Sequence, residues 1–144
     1  MKKQGLAFYL NAAAAVLGVA GVGCAVYSSV MTADNGLTNL SMVAVAGVVG
    51  VLLAALAMFT PARMGDHNPV TAVAVLGAIA LYSYVYGQCV LQRIMLIAGL
   101  FSYNAGNTAG WGVFYATVAC AVCMLVACVL LMVGGFCKSV KTAE

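Results

Sequence analysis

The sequence predicts an all-α integral membrane protein, a bundle of four transmembrane helices with both termini cytoplasmic. Three observations carry that expectation. The 144-residue chain is 65% hydrophobic and only 6% charged, with a mean hydropathy of +1.10, which leaves too few polar groups to cover the surface of a soluble monomer. Four apolar runs of about 20 residues or more are separated by turn-forming sequences, and at about 1.5 Å rise per residue each crosses a hydrocarbon core of about 30 Å. None of the three acidic residues falls inside a run: Asp34 and Asp66 lie in connecting segments and Glu144 is the last residue. The whole chain, 1–144, reads as one membrane domain.

The first span, 6–30, follows Lys2-Lys3. A basic start and the Gly21-Val22-Gly23-Cys24 sequence have the flavour of a cleaved leader, but the run exceeds the about 7–15 residues of a signal-peptide core, so the span is expected to be retained. Thr32-Ala33-Asp34-Asn35-Gly36 then predicts a tight hairpin, because Asn-Gly accepts positive φ and Asp bonds the backbone ahead of it. The second span, 40–59, is expected to end at Thr60-Pro61. The third, 70–91, restarts at Asn68-Pro69, with Asn as cap and Pro at the first helical position. A Gly-, Asn-, Ser- and Thr-rich segment over 102–110 is the longest loop, and Asn107 or Thr108 caps the fourth span, 112–136.

Orientation follows from Lys and Arg, which stay on the cytoplasmic side. With four spans the termini and the middle loop share a face, and that face carries Lys2, Lys3, Arg63, Lys138 and Lys141, against Arg93 alone on the other. The net charge of +3 is thus an orientation signal and a source of attraction to anionic lipid, not a nucleic-acid footprint. The expected partners are the lipid bilayer and other membrane subunits or further copies of the chain, with no nucleic acid. The bacterial cytoplasmic membrane is the expected location.

Within the spans, small residues recur every four positions: Ala14 and Gly18 on the first, Ala46, Gly50 and Ala54 on the second, Ala74 and Ala78 on the third, Ala119, Cys123 and Ala127 on the fourth. Such spacing places each set on one helix face, and in lipid small faces let backbones approach closely. A faint echo links Ala15-Val16-Leu17-Gly18 and Val26-Tyr27 to Ala74-Val75-Leu76-Gly77 and Val85-Tyr86, as a duplicated hairpin would.

The third span is the most polar. Tyr82, Tyr86, Cys89 and Arg93 share a helical face while Tyr84 and Gln88 lie on another, so Tyr82, Tyr84, Tyr86, Gln88 and Arg93 form a candidate polar cavity, with Arg93 as an anion contact. A simpler reading makes the tyrosines interfacial, extends Arg93 to the headgroups and bonds Gln88 to a neighbouring helix. Asn11 is expected to bond across to another helix or carbonyl, because an unpaired amide in hydrocarbon costs several kcal/mol. Phe101, Tyr103 and Trp111 mark one interface, Phe8 and Tyr9 the other.

Chemistry is sparse. Cys120 and Cys123 form a CxxC on the fourth span, and quinone-linked thiol oxidoreductases of the vitamin K epoxide reductase type also set a CxxC beside a small helical bundle. The outer loops hold no second pair to relay electrons, and thiols in apolar surroundings form little of the reactive thiolate. The only histidine, His67, has no cysteine neighbour, so neither a zinc site nor paired haem ligands are expected. Small multidrug exporters and rotary proteolipids rely on a carboxylate within a span, which this chain does not have. No catalytic, metal or cofactor-binding residue is therefore assigned. Three functions remain in order: a non-catalytic accessory or structural subunit of a larger membrane assembly such as a transporter complex; a homo-oligomeric small-solute carrier or channel; and a thiol oxidoreductase using Cys120 and Cys123.

Overall fold

The computed structural model describes residues 3–31, 36–64, 68–138 and 140–141. The hairpin residues 32–35, the acidic residues Asp34, Asp66 and Glu144, and His67 lie outside the described residues. In chain order the elements are β1 (Lys3–Gln4), α1 (Leu6–Val30), α2 (Leu40–Met64), α3 (Pro69–Leu91), α4 (Ile94–Ser102), α5 (Thr108–Phe136) and β2 (Val140–Lys141). Four of these helices, α1, α2, α3 and α5, are long and apolar enough to cross a membrane.

The long helices form a ring. α1 packs on α2 and α5, α3 packs on the same two, and α1 meets α3 across the diagonal. The reason is a seam of buried residues on each helix. On α1 it runs Ala7, Asn11, Ala14, Gly18, Gly21, Ala25, Ser28, and on α5 Gly110, Val113, Thr117, Cys120, Met124, Ala127, Leu131, Gly134. These steps alternate between four and three residues, a repeat of about 3.5 that keeps a seam facing its partners when helices cross at about 20°. A strict four-residue step drifts by about 40° each time around a helix with 3.6 residues per turn. So Ala14, Gly18, Gly50, Ala54, Ala74, Ala78 and Ala127 are buried, while Ala46, Ala119 and Cys123 sit half-buried on the flanks.

Tyr82 fills the centre of the ring, wholly buried in a slot made by two glycines. A Cβ at Gly18 would run into the Tyr82 hydroxyl, and one at Gly50 would stand 2.9 Å from its ring.

Pro61 does not end α2; the helix continues to Met64 with Pro61 buried inside it. Proline has no N–H, so the carbonyl of Ala57 loses its usual helical donor. Asn11 of α1 supplies one: its Nδ2 donates to the Ala57 carbonyl at 3.4 Å. Thr60 donates its hydroxyl to the Leu56 carbonyl at 2.6 Å, adding a second bond at the same break. Asn11 thus bonds a neighbouring helix as expected, and the partner explains why the proline is tolerated.

The expected caps are present: Asn68 accepts from the Val70 N–H and Asn107 from the Gly110 N–H, each at 2.9 Å. α5 starts at Thr108 instead of 112 because Asn107 is the cap. Sequence reasoning places no element over 92–101 and a loop from 102, whereas α4 forms over Ile94–Ser102. With nine residues it is about 14 Å long, too short to cross. It buries only Gly99 and Leu100. Nor is the ribbon anticipated: Lys3 pairs with Lys141 and Gln4 with Val140, antiparallel, tying the chain ends together at one end of the bundle. That end is called proximal below, the opposite one distal.

The ring sets α1 opposite α3, as a duplicated hairpin would, but the matched letters of the internal echo differ in burial. Gly18 is on the α1 seam but its match, Gly77, is not on the α3 seam, which runs through Ala74, Ala78, Tyr82, Val85 and Cys89. The matched letters face different ways.

Candidate functional site

At the distal end the chain leaves α3 at Leu91, and Arg93, with φ −116° and ψ 6°, breaks the helix before α4 begins. That break turns the side chain inward. Arg93 is 2% exposed, and its Nη1 donates to Ser28 Oγ of α1 at 2.8 Å and to Thr117 Oγ1 of α5 at 3.1 Å. Both hydroxyls are poised to accept, because each spends its own proton on a carbonyl of its helix: Ser28 on Ala25 and Thr117 on Val113, both at 2.8 Å. One cation therefore joins three elements that are distant in sequence. Hydrogen bonds to a charged group contribute about 1.5–3 kcal/mol each, and they offset the several kcal/mol that burying the charge costs. This corrects the expectation that Arg93 extends to the headgroups.

One turn before Arg93, Cys89 of α3 faces Cys120 of α5. Both are fully buried, and the Cys120 thiol donates to the Cys89 sulfur at 3.9 Å. The sequence motif joins Cys120 to Cys123, but the α5 seam turns only Cys120 inward and leaves Cys123 half-buried on the flank. The structure pairs cysteines across helices, not along one.

The other members of the candidate cavity are dispersed. Gln88 accepts from the Gln92 side-chain amide at 3.0 Å, and Gln92 in turn accepts from the Thr38 N–H at 2.8 Å, so this pair fastens the start of α2 to the end of α3. Tyr84 is exposed and lines a shallow apolar groove of about 530 Å³ with Met42, Val45 and Leu81. Tyr86 is half-buried against the core. Tyr82 is buried at the centre, and its hydroxyl has no hydrogen-bond partner among the described residues. Tyr82 and Arg93 thus face inward while Tyr84 faces out.

Sequence reasoning overlooked Ser28 and Thr117. Both lie in seam positions of long apolar helices, where a hydroxyl needs a partner, and that was the available signal. A second groove, about 700 Å³, opens between α3 and α5 toward the proximal end, lined by apolar residues such as Val75, Leu76, Leu131 and Met132 together with Asn68 and Thr71. Among the described residues no group of three or more His, Cys, Asp or Glu is placed to hold a metal ion.

No protein-family model matches the chain, and neither a curated protein sequence nor a solved structure matches it.

Proposed function

We propose that this small four-helix membrane protein is a non-catalytic accessory subunit of a larger membrane assembly, such as a transporter complex, with both termini in the cytoplasm of a bacterial cell. The single observation behind the reading is the outer face of α1. Ala13, Ala20 and Gly23 are exposed there at helical spacing, set among the bulkier Tyr9, Val16 and Tyr27, and a Cβ added at Gly23 would meet nothing within 4 Å. The outer face of α2 carries Met42, Val45, Leu52, Leu56 and Phe59 and, among the described residues, exposes no alanine or glycine. Bulky side chains suit lipid tails, whereas small ones suit the backbone of another helix. The inner seam of α1 is already spent on α2 and α5, so the notch of small residues on its outer face is available to a partner.

The test is capture of tagged protein from its host in mild detergent, followed by native mass spectrometry. Gly23→Leu is expected to lose a stoichiometric heterologous partner while the isolated protein keeps its unfolding midpoint, since the added side chain points into open space. Undiminished capture by Gly23→Leu, or no heterologous partner for the wild type, rejects the proposal.

One observation favours the second reading, a homo-oligomeric small-solute carrier: the Tyr82 hydroxyl, buried at the centre of the bundle, has no hydrogen-bond partner among the described residues. That reading requires a homo-oligomer with measurable flux, and it requires Tyr82→Phe to impair that flux while the protein still folds.

A further inference from the structure

The accessory-subunit reading makes no use of the two thiols that meet beneath Arg93. Cys89 and Cys120, separated by 31 residues, are wholly buried with sulfurs 3.9 Å apart. A disulfide requires about 2.05 Å, so linkage needs the sulfurs to approach by about 2 Å. Burial by itself makes a cysteine inert, but this pair has a cation beside it. Arg93 follows Cys89 by four residues, and its Nη1 donates to Thr117, one turn before Cys120 on α5, so the cation stands at the end of the pair. A fixed positive charge stabilises negative charge on sulfur, which is the form that reacts. Cys89, the thiol on the arginine's own segment, is given the first attack here, and Cys120 the second across the 3.9 Å contact.

We propose that Cys89 and Cys120 are a peroxide-reactive dithiol whose oxidation locks α3 to α5 at the distal end. The substrate is a small hydroperoxide, hydrogen peroxide being the simplest. It is uncharged and compact enough to enter a buried site that a bulky thiol or disulfide reagent cannot reach. The Cys89 sulfur, having released its proton, attacks one peroxide oxygen. The O–O bond breaks, Cys89 becomes a sulfenic acid, and the departing oxygen takes up a proton as water. The Cys120 sulfur then attacks the Cys89 sulfur, the S–S bond forms, and the sulfenic oxygen leaves with the Cys120 proton as a second water. Two thiols and one hydrogen peroxide become one disulfide and two waters, with the two electrons of the sulfurs reducing the O–O bond. The resulting cross-link joins the same two helices whose ends Arg93 already bridges through Thr117.

The experiment treats the full chain, folded in mild detergent, with hydrogen peroxide, then unfolds it in an alkylating agent and maps its peptides by mass. The expected product is a Cys89–Cys120 linked peptide, reversed by dithiothreitol, with the other cysteines still alkylated. Cys120→Ser is expected to stop at a Cys89 sulfenic acid that dimedone traps. Arg93→Met is expected to slow linkage by about tenfold or more, because the stabilising charge is gone. If Cys89 and Cys120 both remain alkylated in folded, peroxide-treated wild type, the proposal fails. It also fails if Cys120 links to Cys123, or if either thiol is oxidised past the sulfenic acid with no link formed. The wild-type peptide map decides the matter even where a variant does not fold.

Discussion

The two ends of the bundle meet the same difficulty, buried polar groups surrounded by apolar helices, with opposite means. At the distal end a charged side chain is brought in and surrounded: Arg93 binds Ser28 and Thr117 across α1 and α5. At the proximal end the polar group is part of the backbone, the Ala57 carbonyl stripped of its donor by Pro61, and a neutral amide from Asn11 covers it at 3.4 Å. The first arrangement couples three elements and is charge-assisted. The second repairs a single defect with one long hydrogen bond. Between them Tyr82 separates the two regions, seated against Gly18 and Gly50. The lesson is that polarity at the distal end organises the bundle, whereas at the proximal end it mends a local break.

The strongest way to break this comparison is at the boundary. Gly18→Val drives a branched side chain into the Tyr82 ring and hydroxyl, and overpacking of this kind costs about 3 kcal/mol. Titrating the detergent-solubilised protein with a denaturing detergent should show that loss, and adding Tyr82→Ala should return part of it. Recovery of nothing would mean that Tyr82 is not what Gly18 accommodates. Next comes the distal network. Thr117→Val preserves shape but removes one acceptor from Arg93, with an expected loss of about 2 kcal/mol. The loss should shrink when Arg93 is already Met, and equal losses in both backgrounds would show that the two residues are not coupled.

The smallest effect sharpens the proximal side. Asn11→Ala is expected to cost about 1 kcal/mol, because it uncovers the Ala57 carbonyl. In a Pro61→Ala background the restored N–H serves that carbonyl, so the Asn11 contribution should fall toward zero. A double-mutant cycle on the same unfolding assay measures this coupling directly. An unchanged Asn11 effect would remove the repair of Pro61 as its role.

Much of the framework was legible because it depends on local rules. The four long apolar runs, the Asn68 and Asn107 caps and the need of Asn11 for a partner on another helix all follow from length, turn chemistry and the cost of an unpaired amide. Pro61 was misjudged because the compensation comes from α1, more than forty residues away in sequence. α4 was missed because Arg93, its cap residue, makes no side-chain capping bond that would announce a start. In the candidate cavity, helical spacing put Tyr82 and Arg93 on one face, but it could not show that this face turns inward or place Ser28 and Thr117 beside Arg93. The CxxC drew notice to the right helix and to Cys120, and away from its actual neighbour, Cys89.

What the sequence determined by itself was the solvent: a chain so apolar, with its carboxylates confined to connecting segments and the last residue, satisfies its backbone in lipid by forming helices long enough to cross. What tertiary structure decided was which residues meet. The 3.5-residue seam, not the four-residue repeat of small residues, chose the faces that pack, because packed helices cross at an angle. That choice turned Arg93 inward toward α1 and α5, set Cys89 against Cys120, and left Ala13, Ala20 and Gly23 of α1 on the outside. Periodicity along one helix specifies a face, but its partner is set only when the faces of all four helices pack together.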